Sequence, residues 1–98
     1  MVAKAVQIGQ RLFPRQLDAT AHFSEMLAKY KVGSVIEASD ASDLSELLLR
    51  HRDSTSKIGA GVDFFTTTVS EQGSKCFAIV RIDGTLEPFS FHRCIRRV

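Results

Sequence analysis

The sequence predicts an α+β domain in the order β-α-α-β-β-β, with two helices packed on one face of a small antiparallel sheet. Three observations predict it. Two segments repeat apolar residues at helical spacing: Ala19, Phe23, Met26, Leu27 and Tyr30, then Leu44, Leu47 and Leu48. From Ile58 onward the chain is rich in β-branched and aromatic residues broken by turn signals. Asp83-Gly84, between two apolar runs, is the strongest hairpin signal in the chain. Helices followed by a three-strand meander make a sheet with one covered face.

The elements follow in order. Ala5 to Phe13 is short, mixed and interrupted by Gly9; it reads as a strand pair or one bent strand, ended by Pro14. The first helix is capped by Asp18 or Thr20. Gly33 stands past its end, and Lys29 and Lys31 sit where cations suit the dipole. Val35, Ile36 and Ala38 form a short extended stretch. The second helix runs from Ser42 to His51, with Asp40 or Ser42 as N-cap and Arg50, His51 and Arg52 closing it. Asp53 to Ser56 is a polar connector. Ile58 to Val69, Cys76 to Ile82 and Thr85 to Phe91 are the three strands. A two-residue type I′ turn at Asp83-Gly84 pairs Val80 with Glu87, Ala78 with Phe89 and Cys76 with Phe91. The core layer is then Cys76, Ala78, Val80, Ile82, Phe89 and Phe91. Phe23, Met26, Leu27, Leu44, Leu47, Leu48, Val80 and Phe89 are expected to be buried together.

With 98 residues, 44% of them apolar, the chain suits one domain spanning 1–98 and one modest core. No run of eighteen apolar residues exists, and the start lacks the apolar stretch of a signal peptide. The expectation is a cytoplasmic monomer without membrane contact. Two cysteines, Cys76 and Cys94, are too few for a disulfide scaffold, and a cytosolic setting keeps them reduced. The 13 basic and 11 acidic residues name no polyanionic partner by themselves. The charge is uneven, however: residues 1–49 carry 5 basic against 6 acidic groups, and residues 50–98 carry 8 against 5.

Four segments resemble a family of domains typified by the plant DCL (defective chloroplasts and leaves) proteins. They are LSELLLRH at 44–51, KIGAGVDFF at 57–65, KCFAIVRIDGT at 75–85 and FSFHRCI at 89–95. The helix AHFSEMLAKY at 21–30 is similar to the family's opening helix. A related domain ends the largest subunit of plant RNA polymerase V, and bacterial single-domain members belong too. The motif residues are His51, Lys57, Gly59, Gly61, Cys76, Arg81, Asp83, Gly84, Phe89, Ser90 and Cys94. Arg52 stands where the family has Pro, and Pro88 where it has an acid. The resemblance implies an RNA-associated, non-catalytic module, because plant members are linked to ribosomal RNA maturation. It carries over no catalytic mechanism.

The residues themselves offer four candidates. In Lys57-Ile58-Gly59-Ala60-Gly61 the bare backbone suits a phosphate with Lys57 as point charge. The plainer reading, which ranks ahead, is a strand start where glycines allow a bulge or close packing. Arg50-His51-Arg52 suits a phosphate grip, or merely complements a helix C-terminus. Cys76, Cys94 and His92 fall short of a zinc site, since His92-x-Cys94 is the only close pair. No metal and no cofactor is expected. Cys76 reads as a small hydrophobe, with a redox pair to Cys94 left open. Arg81 shares the face opposite the core layer with Lys75, Phe77, Ser90 and His92. A sheet face with aromatic and basic groups holds single-stranded RNA by stacking and phosphate contacts, or, since Ile79 and Leu86 also lie there, is a solvated or partly helix-covered face. The nucleic-acid-binding set is Lys57, Lys75, Phe77, Arg81, Arg93, Arg96 and Arg97. The partner is single-stranded or ribosomal RNA, or a ribonucleoprotein. The alternative is a protein-interaction module docking on a larger complex. A catalytic role for His51 with a cysteine has no supporting motif, so no enzyme is expected.

Overall fold

The structure is a computed structural model that describes residues 5–96. Arg97, nominated above, lies outside the described residues. Two short strands, β1 (Val6–Ile8) and β2 (Arg11–Phe13), form a separate hairpin ahead of the helices. Pro14 ends it. Helix α1 spans Gln16–Lys29. Its start is fixed from inside: the Asp18 carboxylate accepts from the Arg15 N–H at 3.1 Å. Helix α2 spans Ala38–Leu48, starting earlier than its apolar stripe suggests. Asp40 therefore lies in its first turn, where it accepts from the Tyr30 hydroxyl at 2.6 Å and from Lys29 Nζ at 2.9 Å.

The expected polar connector winds into a one-turn helix, α3 (Ser54–Ile58). Strands β3 (Val62–Val69), β4 (Lys75–Arg81) and β5 (Leu86–Phe89) then form the predicted antiparallel meander. The connector between α1 and α2 closes the outer edge of β3: Gly33 N–H donates to Thr67 O and Ile36 N–H to Phe65 O. Thr66 and Thr67 secure the same connector through their hydroxyls, to Ser34 O at 2.6 Å and Lys31 O at 2.9 Å. The last described element is a helix, α4 (Phe91–Arg96), where the sequence predicts the end of a strand and a basic tail. Its buried side chains Phe91, Cys94 and Ile95 fall at helical spacing. Arg50 holds its C-terminal end, donating to Cys94 O at 3.1 Å and Ile95 O at 3.0 Å.

The fold class is as predicted, but the register of β4 on β5 differs by one residue. Val80 pairs with Leu86, Ala78 with Pro88 and Phe77 with Phe89. The loop has three residues, Ile82 to Gly84, with Gly84 at φ +87°. Arg81 N–H donates to Thr85 O and Gly84 N–H to Arg81 O. This is the three-residue hairpin with a left-handed glycine, not the type I′ turn. Because side chains alternate along a strand, one residue of slip exchanges the two faces. Phe77 and Ile79, expected outside, are fully buried in the core. Cys76 and Val80 point to the other face, half-buried, and Ile82 is exposed in the loop.

The core lies between the sheet and α1, α2 and α4. Phe23, Met26, Leu44, Leu47, Leu48 and Phe89 are buried there together as expected, with Leu27 partly buried at its margin. The aromatic rings form one connected layer. Phe77 stacks on Phe89 with centroids 6.1 Å apart and meets Phe91 edge-on at 6.0 Å; Phe91 lies 6.3 Å from Phe23. The opposite face of the sheet carries Phe64, Thr66, Thr68, Cys76, Ala78, Val80 and Leu86. Among the described residues no helix is long and apolar enough to cross a membrane.

Candidate functional site

A groove of about 710 Å³ opens where the loop after α2, α3, the first residues of β4, the end of β5 and the start of α4 meet. Its lining includes His51, Lys57, Lys75, Cys76, Phe89, Ser90, His92 and Arg93. These include residues nominated from sequence as far apart as positions 51 and 93. Asp53 is the one acidic residue among the lining, against Lys57, Lys75 and Arg93.

The cations differ in how much of each is committed within the protein. Lys57 Nζ donates to Glu87 Oε1 at 2.8 Å and to Pro88 O at 3.0 Å, which leaves the third of its N–H donors. The same contact holds the Glu87 carboxyl below its usual range. Lys75 Nζ donates once, to Tyr30 O at the end of α1, 2.8 Å away. Arg93 is exposed and makes no hydrogen bond or ion pair among the described residues. Arg96 is exposed one turn further along α4.

Arg81 is fully engaged elsewhere. Its Nε donates to Lys57 O at 2.9 Å, its Nη2 to Ser56 O at 3.4 Å and its Nη1 to Thr85 Oγ1 at 3.1 Å. The guanidinium also lies 3.4 Å from Glu87 Oε2. Arg81 thus fastens the end of α3 to the hairpin and is not displayed to a ligand. Gly59 lets it do so: a Cβ there would meet Arg81 Nε at 2.9 Å. The Lys-Ile-Gly-Ala-Gly segment accordingly follows its plainer reading as a close-packed turn into β3. Gly61 accepts from Ile82 N–H at 2.9 Å. Asp83 accepts from the Thr85 N–H and hydroxyl within the hairpin loop, at 3.0 and 2.6 Å, which lowers its carboxyl.

Phe77 cannot stack on a base, because it is wholly inside the core. The two thiols do not share a face: Cys94 is in the core and Cys76 on the far side of the sheet, so their register neighbourhood brings no redox pair. Burial pushes the Cys94 thiol up to about 12 and raises Cys76 as well, so neither is an activated thiolate. Among the described residues no three His, Cys, Asp or Glu side chains come together to hold a metal ion.

His51 is the most enclosed polar group in the groove. The residue is 5% exposed. Nδ1 accepts from the Asp53 N–H at 3.0 Å. Burial, helped by the charge of Lys57, lowers its pKa below the ordinary 6.5, so the ring is neutral at pH 7. Sequence reasoning missed two contributors, Asp53 and Glu87. Glu87 lies 30 positions from the lysine it pairs with, a separation at which no local pattern reports contact.

Comparison with known proteins places this geometry in context. Residues 24–95 match the family model described as protein of unknown function (DUF3223). Over 71 residues the chain is 38% identical to DNA-directed RNA polymerase IV subunit 1 of Arabidopsis thaliana, covering 71% of this chain and 5% of that one. It is 35% identical over 71 residues to Protein DCL, chloroplastic, of Solanum lycopersicum, covering 69% of this chain and 32% of the relative. The chain thus spans a third or less of the curated relatives it matches. The solution NMR structure of an uncharacterized protein from Rhodospirillum rubrum superposes with a TM-score of 0.86 at 40% identity, over 94% of this chain and 88% of that one.

Proposed function

The chain belongs to the DUF3223 family, and on that premise we propose that it is a non-catalytic RNA- or ribonucleoprotein-binding domain whose contact surface is the basic groove. The observation that carries this reading is the convergence of Lys57, Lys75 and Arg93 on one concave surface with two histidines and a single acid. A groove in which cations outnumber acids attracts a phosphate backbone even when the whole chain is only +2. A relative named as a subunit of a DNA-directed RNA polymerase fits such a partner, as does the ribosomal RNA maturation that the resemblance to DCL proteins implies. Contacts from lysine and arginine to phosphate position the chain on RNA without reading sequence.

A fluorescence-anisotropy titration with single-stranded and duplex RNA at two salt concentrations tests it. The three groove cations plus Arg96 neutralise three to four phosphates. With about −0.7 per phosphate for single strands, affinity falls roughly four- to sevenfold for each doubling of salt. Arg93→Ala weakens binding for every sequence alike and makes the salt slope shallower. Binding indifferent to salt, or absent at low salt, refutes the reading.

One observation favours a second reading, a protein-docking module. The face of the sheet opposite the core carries Phe64, Val80, Leu86 and Pro88 with no charged side chain among them, and Leu86 is 49% exposed. If this face docks on a larger complex, Val80→Lys abolishes that association and leaves the RNA titration unchanged.

A further inference from the structure

His51 has one ring atom whose purpose the fold does not supply. Nδ1 carries the lone pair that accepts the Asp53 N–H, so the proton of the neutral ring sits on Nε2. Nε2 makes no hydrogen bond within the described residues. Yet no buried side-chain nitrogen or oxygen among them lacks a partner. Nε2 therefore opens onto the space the ring lines, and that space is the groove. A donor on a residue only 5% exposed, held by its other ring nitrogen and left open on one side, is built to meet an acceptor.

The surroundings specify that acceptor. Lys57 retains a free N–H and Arg93 a free guanidinium, and both line the same groove. The three donors come from three different elements: the loop after α2, α3 and α4. Donors that converge from separate directions suit a tetrahedral oxyanion with several acceptor oxygens better than a planar carboxylate. We propose that the Nε2–H of His51, together with the ammonium of Lys57 and the guanidinium of Arg93, seats a phosphate group at the floor of the groove. This deepens the RNA reading and rests on it for the source of the phosphate, an RNA strand rather than the free ion. His51 acts as a neutral directional donor, and the two cations supply the charge.

The experiment follows the histidine ring signals by long-range ¹H–¹⁵N NMR. Three ligands are titrated in turn: inorganic phosphate, a single-stranded oligoribonucleotide with a 5′-phosphate, and the same strand without it. Phosphate and RNA shift the His51 Nε2 signal while Nδ1 keeps its acceptor character. His51→Asn retains an acceptor for the Asp53 N–H but loses the distal donor, so it weakens phosphate and RNA binding by about tenfold or more. Should that variant fail to fold, the wild-type ring signals still decide. RNA that binds without moving Nε2 overturns the seat and leaves the RNA reading standing. Phosphate that moves Nε2 while no RNA binds at low salt upholds the seat and overturns the RNA reading. A larger shift with the 5′-phosphorylated strand assigns the seat to a strand end; equal shifts assign it to the backbone. Nε2 unmoved by all three refutes the proposal.

Discussion

Gly59→Ala tests the claim that the glycine segment is architectural. Gly59 ends α3 at φ +53° and ψ −119°, a region closed to ordinary L residues. Holding alanine there costs about 1–3 kcal/mol. The new Cβ would also sit 2.9 Å from Arg81 Nε and 3.2 Å from Arg81 Cδ, so the guanidinium must move. Nε then leaves Lys57 O, where it now donates at 2.9 Å, and the partly buried contacts to Ser56 O and Glu87 loosen with it. A lost hydrogen bond from a charged donor adds about 1.5 kcal/mol. The sum is about 3 kcal/mol, which in a domain of this size lowers Tm by about 12–24 °C. Thermal unfolding followed by circular dichroism reads the effect directly. A double-mutant cycle separates the two causes: in an Arg81→Ala background the penalty shrinks to the backbone part. A drop of under about 3 °C, or an undiminished penalty without Arg81, refutes the reasoning.

Three further outcomes are expected. Leu47→Ala, at a fully buried position between helices and sheet, costs about 2–5 kcal/mol in chemical denaturation, and a cost under 1 kcal/mol would place the helix phase in error. Because burial and the charges of Lys57 and Arg93 lower the pKa of His51 against the opposing pull of Asp53 and Glu87, the unfolded chain takes up a proton near 6.5 that the folded chain refuses. Stability from this group is therefore complete above pH 6.5 and declines as the pH falls below it; His51→Asn flattens that slope between pH 5 and 7, and an unchanged slope counts against it. With its thiol pushed up to about 12, Cys94 resists iodoacetamide at pH 8 until the chain is unfolded, which mass spectrometry of the native and denatured protein checks; half-buried Cys76 is labelled first.

The first two helices and the meander were legible because their signals are local, whereas the register turned on a single residue. Asp-Gly supports either a two-residue loop or a three-residue loop ending in a left-handed glycine, and only packing chooses between them. A two-residue loop places Lys75 and Arg81 outside and carries Phe77 and Ile79 out with them. In the folded chain those cations stand at the two ends of a core-facing row. Their heads reach past it to carbonyls at the ends of α1 and α3, Tyr30 O and Lys57 O. A charged residue at a strand end is thus a poor guide to which face is solvated. The bulk of the interior residues is better, since Phe77 and Ile79 fill a core that Cys76 and Ala78 would leave underpacked. Helix α4 had its own visible signal in the spacing of Phe91, Cys94 and Ile95.

The site was legible by residue type but not by role. Sequence nominates cations, and the fold then consumes some of them. Arg50 and Arg81 are spent on backbone carbonyls, Lys57 is shared between Glu87 and the groove, and Arg93 remains open. Every one of those commitments links residues at least 24 apart, except the contacts of Arg81 with Thr85 and Glu87 across one hairpin. Net charge is consequently a weak measure of what the surface offers a ligand. What distinguishes the groove is its remaining donor set, which besides the hydrogens left on Lys75 holds one ammonium hydrogen of Lys57, the Arg93 guanidinium and the His51 imidazole N–H, from three separate elements. The imidazole is the informative member, since lysine and arginine at a surface need no partner, whereas a nearly buried ring with one nitrogen fixed and the other open does. Arg93→Ala and His51→Asn should therefore differ in kind. Loss of Arg93 lowers affinity and the salt slope together. Loss of the His51 donor lowers affinity at an unchanged slope, because a neutral N–H releases no counterion. Parallel slopes with unequal intercepts for wild type and His51→Asn are the expected signature, and a slope that falls in the His51→Asn variant would mean that the ring binds as a cation.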